Sequence, residues 1–239
     1  MPKAVSTEAG MHRWVWDLHF PAPVSVRHEF PISAVPGDTP RVPQGPRAVP
    51  GEYSVRLTAD GKTLTTSLTL NKDPRVKASQ ADLEQQFKLQ TRLASMMTRS
   101  SEAILQARSI REQLEKLSAS ATSSTKEAIA ALDKKIVTLL EPAGASAAAT
   151  SEEKNLKDVN GDVYDLYMQV DHPDAAPTLA QEKATEATEA ELAPLLKRWQ
   201  EIKSSDMPAL NRLLKTAQLS EIQVAIDPNL EEEPAEDLE

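Results

Sequence analysis

The chain has 239 residues, with 27 Lys and Arg against 36 Asp and Glu, and it has no Cys. The absence of Cys excludes disulfides, thiol nucleophiles and zinc sites with Cys ligands. Residues 227–239 hold seven acids and no base, so most of the formal charge of −9 belongs to them. The nearly neutral remainder lacks the clustered basic surface that nucleic-acid binding requires. No apolar run is long enough to span a bilayer, and residues 1–20 lack the apolar stretch of a signal peptide.

Proline and glycine divide the chain into two unlike parts. Nine of the 17 prolines fall in residues 1–50, whereas residues 75–141 contain neither Pro nor Gly. The fold class that this predicts is mixed and mainly α: a partial antiparallel β-sandwich over residues 1–72, then an up-and-down antiparallel helical bundle over residues 73–222. Residues 223–239 are predicted to form an acidic disordered tail.

In the first part, three strand-like patterns stand in chain order. Residues 13–18 are a β-branched and aromatic run of strand length. Residues 53–58 and 63–70 alternate apolar and polar side chains, and Asp60-Gly61 between them predicts a tight hairpin turn. Residues 21–50 contain eight prolines and predict an extended loop, with a short edge strand near residues 30–34.

From Ser79 onward the apolar period changes from two to about 3.5 residues, which indicates amphipathic helices. A first helix is predicted over residues 79–117, and at about 58 Å it is too long for one short neighbour to cover. We therefore expect the third and fourth helices to pack along its remaining length, or the first helix to bend near residues 98–101. The other predicted helices cover residues 126–140, a stretch capped by Ser151, a stretch from Thr178 kinked at Pro194, and a short fifth helix capped by Ser205 or Asp206.

Candidate chemical groups are few. The four histidines, His12, His19, His28 and His172, have spacings that fit no helical metal motif. No nucleophile elbow, phosphate loop or dinucleotide fingerprint occurs. The sequence therefore predicts no catalytic, cofactor-binding or metal-binding residue and no cofactor.

Four polar or aromatic features have both a functional and a structural interpretation. Asp158, Asn160 and Asp162 resemble a calcium loop, but helical periodicity runs through them, so we expect them on the solvent face of the third helix. Trp14 and Trp16 could stack on sugar rings, but core packing is the favoured interpretation. The acidic tail could bind a basic partner, although such runs are usually solvated. Residues 171–174 have the polarity of a site, yet Pro173 and Pro177 favour a helix-capping turn.

Several segments together resemble the C-terminal region of bacterial secreted proteins with sortilin-like, BNR/Asp-box β-propellers, often catalogued as glycosyl hydrolases or sialidase-like proteins. Two of them, GMHRWVWDL and VPGEYSVRL, look like strand motifs of the immunoglobulin-like domain that is also found in flagellar-hook-capping proteins. The others look like a connecting loop, a junction to the helices, the turn before the fourth helix and the start of the last helix. The segments are residues 10–18, 49–57, 31–36, 71–76, 174–178 and 207–211.

This resemblance covers residues 10–222 and implies a periplasmic or extracellular location. The chain contains no Asp-box motif, so no catalytic residue can be carried over from the family. An immunoglobulin-like sandwich takes about seven strands and about 100 residues, whereas we find three or four strands in 72 residues. The resemblance therefore implies that Met1 starts inside a domain.

The sequence thus favours a non-catalytic C-terminal module, structural or protein-binding, of a larger extracytoplasmic propeller protein. Its expected partner is the upstream propeller or another protein chain, and an open strand edge could give an oligomer by strand addition. One alternative is a fragment of a BNR-repeat glycoside hydrolase that holds glycans with Trp14 and Trp16. The other is a free-standing adaptor or chaperone-like helical protein with an apolar groove.

Overall fold

A computed structural model describes residues 7–30, 39, 41–141 and 154–225. The protein is mainly helical, with one two-stranded antiparallel hairpin ahead of a helical bundle. No second sheet is found in the described ranges. The elements are β1 Gly51–Ala59, β2 Lys62–Leu70, α1 Gln80–Ser120, α2 Ser123–Leu140, α3 Leu156–Asp171, α4 Leu179–Glu201, a π-helical turn Ile202–Asp206 and α5 Met207–Thr216.

Three helices begin at side-chain caps that satisfy the free N–H groups of their first turns. The Ser79 cap of α1 and the Thr178 cap of α4 confirm the predicted starts. The hydrogen bond from Ser79 also lowers the pKa of Asp82, its capping-box partner. The predicted Ser151 cap is wrong for α3, since Asn155 accepts from the backbone N–H of Lys157 and Asp158. Ser151 itself lies outside the described residues.

The predicted fifth helix does not begin at a cap. Helix α4 passes through the π-helical turn into α5 without leaving helical backbone angles, and Asp206 makes no side-chain capping hydrogen bond. One extra residue in a helical turn shifts the register of the side chains that follow. Trp199, Ile202, Met207 and Leu210 are consequently all buried although their spacing is irregular.

The central feature of the bundle is α1, whose length is covered by two shorter helices in succession. Arg111 of α1 donates to Asp133 of α2 at 2.9 Å, and Asn160 of α3 donates to Ser100 of α1 at 2.7 Å. Near the start of α1, Gln90 donates to Asp171 at the end of α3. Helices α2 and α3 therefore both run antiparallel to α1, one after the other.

Helix α4 continues into α5, and the two together run parallel to α1. Arg92 is ion-paired with Glu189, and farther along both helices Lys203 donates to Gln106 at 3.3 Å. Helix α3 also packs on α4, so over the length of α3 the bundle has three helices in cross-section. This confirms the expectation that the third and fourth helices pack along α1. The largest fully buried side chains are Tyr167, Leu93, Met96, Met97, Ile104, Leu105, Ile110, Leu114, Ile136, Leu139, Leu140 and Leu156.

The chain ahead of the hairpin lies against the bundle as an extended loop, as predicted for its described part. The Phe20 ring packs on Phe87 of α1 at 5.1 Å between centroids, and the Val24 N–H donates to the Thr98 hydroxyl. The buried Tyr167 hydroxyl of α3 donates to the Gln44 carbonyl at 2.6 Å. Burial raises the pKa of Tyr167 well above its usual value, so it remains a protonated donor.

The predicted strand over residues 13–18 is wrong. These residues form no ladder, and the next residue, His19, makes only an isolated bridge with Arg47. Leu18 adopts φ +65°, which interrupts extended backbone just before that bridge. Of the edge strand predicted near residues 30–34, residues 31–34 lie outside the described residues, and Glu29 forms a second isolated bridge with Val42.

Gly45 provides a test of how closely the loop fits together. A Cβ at this position would lie 1.8 Å from the carbonyl oxygen of Phe20, which is backbone and cannot rotate away. We expect Gly45→Ala to lower the free energy of unfolding by at least about 1 kcal/mol, measured by urea denaturation. The matched control is Gly161→Ala in α3, where no atom lies within 4 Å. It should stabilise the protein by about 0.5–1 kcal/mol, and equal effects of the two variants would contradict the packing described.

Candidate interaction surface

The hairpin has the register that its sequence predicts. Ala59 pairs with Lys62 across a two-residue loop, in which Asp60 and Gly61 have φ of +49° and +73°. Two successive positive φ angles define the turn type whose twist matches that of the strands it joins. The turn thus fixes which side chains of β1 and β2 share a face.

One side of this hairpin is mainly apolar and, beyond its Tyr53 end, faces no other part of the described chain. Val55 is 42% exposed, Leu57 59%, Leu64 70% and Leu68 39%. The register places Leu57 beside Leu64, and Val55 lies between them and Tyr53, which pairs with Leu68. We call this surface the hairpin face: Tyr53, Val55, Leu57, Leu64, Thr66 and Leu68.

The opposite side of the hairpin is polar. Thr69 donates to the Glu52 carboxylate at 2.6 Å, and the hydroxyls of Thr58 and Thr63 lie 3.1 Å apart, so cross-strand hydrogen bonds replace apolar contact there. The hairpin face as defined carries no charged residue, and Lys62, which shares its side of β2, lies at the turn end beside Ala59. The hairpin is therefore two-sided in the way that a half-buried antiparallel sheet is.

The base of the hairpin is held to the rest of the protein. The Trp16 ring packs edge-on against Tyr53, with centroids 5.2 Å apart, and its indole N–H donates to the His19 carbonyl. The Tyr53 hydroxyl donates to Val49, and the Gln80 amide at the start of α1 donates to Pro50. Only the Tyr53 end of the hairpin face is covered in this way.

The expectation that both tryptophans lie in a core is wrong for Trp14. Its side chain is 50% exposed, because the segment that carries it forms no strand and joins no sheet. Trp16 is partly buried against Tyr53 and serves as an anchor of the hairpin. Met11 and Val15 beside them are also exposed, at 100% and 69%.

A cleft of about 290 Å³ lies where the hairpin base meets α1. Its charged side chains are engaged within the protein. Asp17 accepts from the His19 backbone N–H, and the Arg75 hydrogen bonds lower the pKa of Asp73. The Lys72 ammonium donates to the Ala78 carbonyl at 2.6 Å. The cleft is thus a small pocket whose charged groups stabilise the junction.

The structure does not bring the histidines together. The ring of His12 donates to Glu8, that of His19 lies on the Asp17 carbonyl, and that of His172 lies on the Met168 carbonyl at 2.5 Å. Within the described ranges no group of three or more His, Asp or Glu side chains is placed to hold a metal ion. No described helix is long and apolar enough to cross a membrane.

The calcium-like segment is part of α3, as predicted, but only partly on its solvent face. Asp158 completes the capping box, and Asp162 is paired with Lys154, whose pKa is raised by its hydrogen bonds to Asp162 and Glu191. Asn160 is buried and donates to the hydroxyls of Ser100 and Ser101. The expectation of solvent exposure is wrong for Asn160 because this face of α3 meets α1.

The turn over residues 171–174 has a structural role. The buried Gln86 amide of α1 donates to the carbonyls of Val170 and Pro173, at 2.7 and 2.5 Å, and so caps the end of α3 from outside. Sequence reasoning missed Gln86, since a Gln inside a long amphipathic helix gives no signal of burial. Around this turn, Arg47 lies 3.9 Å from Asp171 and 3.7 Å from Asp174.

Comparisons with known proteins give no match. No family model, no curated protein and no solved structure is significantly similar to this chain. The interaction surface is therefore described by its own geometry alone.

Gln86 can be tested by removing its amide. In Gln86→Ala, two carbonyls at the buried end of α3 lose their donor, which should lower the free energy of unfolding by about 1–3 kcal/mol in urea denaturation. The neighbouring Gln85 is exposed and has no hydrogen bond among the described residues, so Gln85→Ala should change it by less than about 0.5 kcal/mol. A cost for Gln86→Ala no larger than the control's would show that the carbonyls do not depend on this side chain.

Proposed function

We propose that this chain is a non-catalytic protein-interaction module that docks through its hairpin face onto a β-sheet of a larger extracytoplasmic propeller protein. The observation that carries the proposal is the exposure of Val55, Leu57, Leu64 and Leu68 on one face of a two-stranded sheet. A hairpin alone is marginally stable in water and usually needs another layer over its apolar face.

The chemistry of the hairpin face favours a second sheet as its occupant. Two sheets that pack face to face interdigitate uncharged side chains from alternate positions of each strand. From Tyr53 to Leu57 and from Leu64 to Leu68 the hairpin offers this alternation, with polar residues on its other side. The docked pair of sheets would form an immunoglobulin-like sandwich to which the hairpin contributes two strands.

The free strand edges are consistent with the same role. From Thr63 to Leu70, β2 contains no charged residue and no proline, which are the usual devices that keep sheet edges from pairing. A strand of the partner could therefore also add to this edge. The location proposed for such an assembly is periplasmic or extracellular, as the family resemblance implies.

The glycoside-hydrolase and free-standing adaptor alternatives are not favoured by a specific feature. A glycosidase needs an acid and a base about 5–10 Å apart across a sugar site, and neither alternative gives a use to the apolar hairpin. The proposed module function accounts directly for the exposed hairpin face.

The proposal is tested by the DNA upstream of Met1 and by the protein that it encodes. We expect an in-frame β-propeller, and we expect its separately produced domain to bind this chain in calorimetry. Leu57→Ser with Leu64→Ser should weaken binding about 30-fold, since each exposed Leu contributes about 1 kcal/mol when it is buried.

The matched control is Thr58→Ala with Thr63→Ala on the polar side of the same two strands, which should leave the affinity unchanged. Circular dichroism of both double variants should match the original chain, because neither changes the bundle core. The absence of an upstream β-domain, or binding that is insensitive to the two Leu substitutions, would overturn the proposal.

A further inference from the structure

A second surface, separate from the hairpin, is basic. Helices α1 and α4 form a groove of about 380 Å³, which we call the α1/α4 groove. Three bases and one acid line it: Arg99, Lys197, Lys203 and Glu102. The excess of positive charge contrasts with the acidic net charge of the chain.

The bases of the α1/α4 groove are not neutralised by the described part of the chain. Arg99 and Lys197 are exposed and form no ion pair with any described residue. Lys203 donates to the neutral Gln106 amide oxygen at 3.3 Å, and its ammonium lies 5.6 Å from the centroid of the Trp199 ring. An anionic occupant would thus meet three positive groups with no competing carboxylate except that of Glu102.

The C-terminal segment folds back along α5 toward this groove. After α5 the chain turns at Gln218, which has φ +58°, and the Leu219 N–H donates to the Leu214 carbonyl. Three residues later Ile222 exchanges two hydrogen bonds of 2.9 Å with the Asn211 side chain. Since Asn211 precedes Leu214 in α5, the segment runs antiparallel to α5.

The next residue fixes the segment to α1. The Gln223 N–H donates to the Gln113 side-chain oxygen at 3.0 Å, and the Gln113 amide donates back to the Gln223 carbonyl at 2.9 Å. Gln113 lies on the same face of α1 as Gln106, because seven residues are close to two full turns. Ile222 is only 3% exposed, so the segment is seated between α1 and α5 at the C-terminal end of the groove.

We propose that residues 227–239 of the same chain occupy the α1/α4 groove. Along α1, Gln106 is about 10 Å and Arg99 about 21 Å from Gln113. An extended chain advances about 3.3 Å per residue, so Asp227 reaches about 13 Å and Glu231 about 26 Å beyond Gln223. Asp227 therefore comes level with the groove between Gln106 and Arg99, and the six acids from Glu231 onward have more than enough chain to reach Lys203, Lys197 and Arg99.

The contact is electrostatic and intramolecular. Each pair between exposed charges is weak and screened by salt, but the attachment at Ile222 and Gln223 keeps the acidic residues at a high effective concentration near the bases. The groove is in this way a site for an acidic peptide segment whose resident occupant belongs to the chain itself. An acidic segment of another protein would have to displace it.

The absence of Cys allows one site-specific label. Leu230→Cys places a nitroxide inside the acidic segment without altering a charge, and the amide signals of the full-length protein then report proximity by paramagnetic broadening. We expect residues 99–106 and 197–203 to lose most of their intensity at low salt and to recover it at 1 M NaCl, where the Debye length is about 3 Å.

Charge-reversal variants distinguish binding in the α1/α4 groove from non-specific electrostatic attraction. Arg99→Glu with Lys197→Glu should abolish the broadening. Lys88→Glu with Lys134→Glu changes the net charge equally at two exposed lysines on other surfaces and should preserve it. The proposal is overturned if the broadening falls elsewhere, if it survives the groove substitutions, or if the control removes it equally.

Discussion

The fold depends on one constraint, which is the length of α1. Its 41 residues extend about 61 Å, whereas the 18 residues of α2 cover about 27 Å and the 16 of α3 about 24 Å. Neither short helix could bury the apolar stripe of α1 alone, but in succession they do so. Helices α4 and α5 also cover α1, since the π-helical turn allows them to continue as one helix along most of its length.

Polar side chains inside the bundle set its register. Apolar stripes alone tolerate sliding, because Leu, Ile and Met contacts are similar one turn apart. Asn160 can satisfy its amide only where Ser100 and Ser101 face it, and Gln86 only where α3 ends. A buried amide that loses its partners costs more than an apolar contact gains by shifting. These few hydrogen bonds therefore select one alignment of α3 on α1.

Periodicity predicted the helices and turn chemistry predicted the hairpin, because both signals are local. The failures are places where distant contacts decide. Residues 13–18 have strand propensity but pair with no strand among the described residues, and Asp206 has the side chain of a cap within a helix that continues. The burial of Asn160 could not be predicted, since only the approach of α1 distinguishes it from an exposed helix residue. The sequence predicted which residues of the hairpin share each face. It could not predict that the apolar face would be exposed.

The hairpin and the bundle are stabilised by different means, and this difference explains why the hairpin face stays open. Each bundle helix covers another, so that apolar side chains from Leu89 to Ile222 form one cluster. The hairpin takes its shape from the Asp60-Gly61 turn, its ladder and the Tyr53 anchor, and no other described element packs on Leu57 or Leu64. Bulky apolar residues that stay exposed in this way reduce solubility. In the proposed function, these residues pack against a second apolar layer that the partner brings to the hairpin.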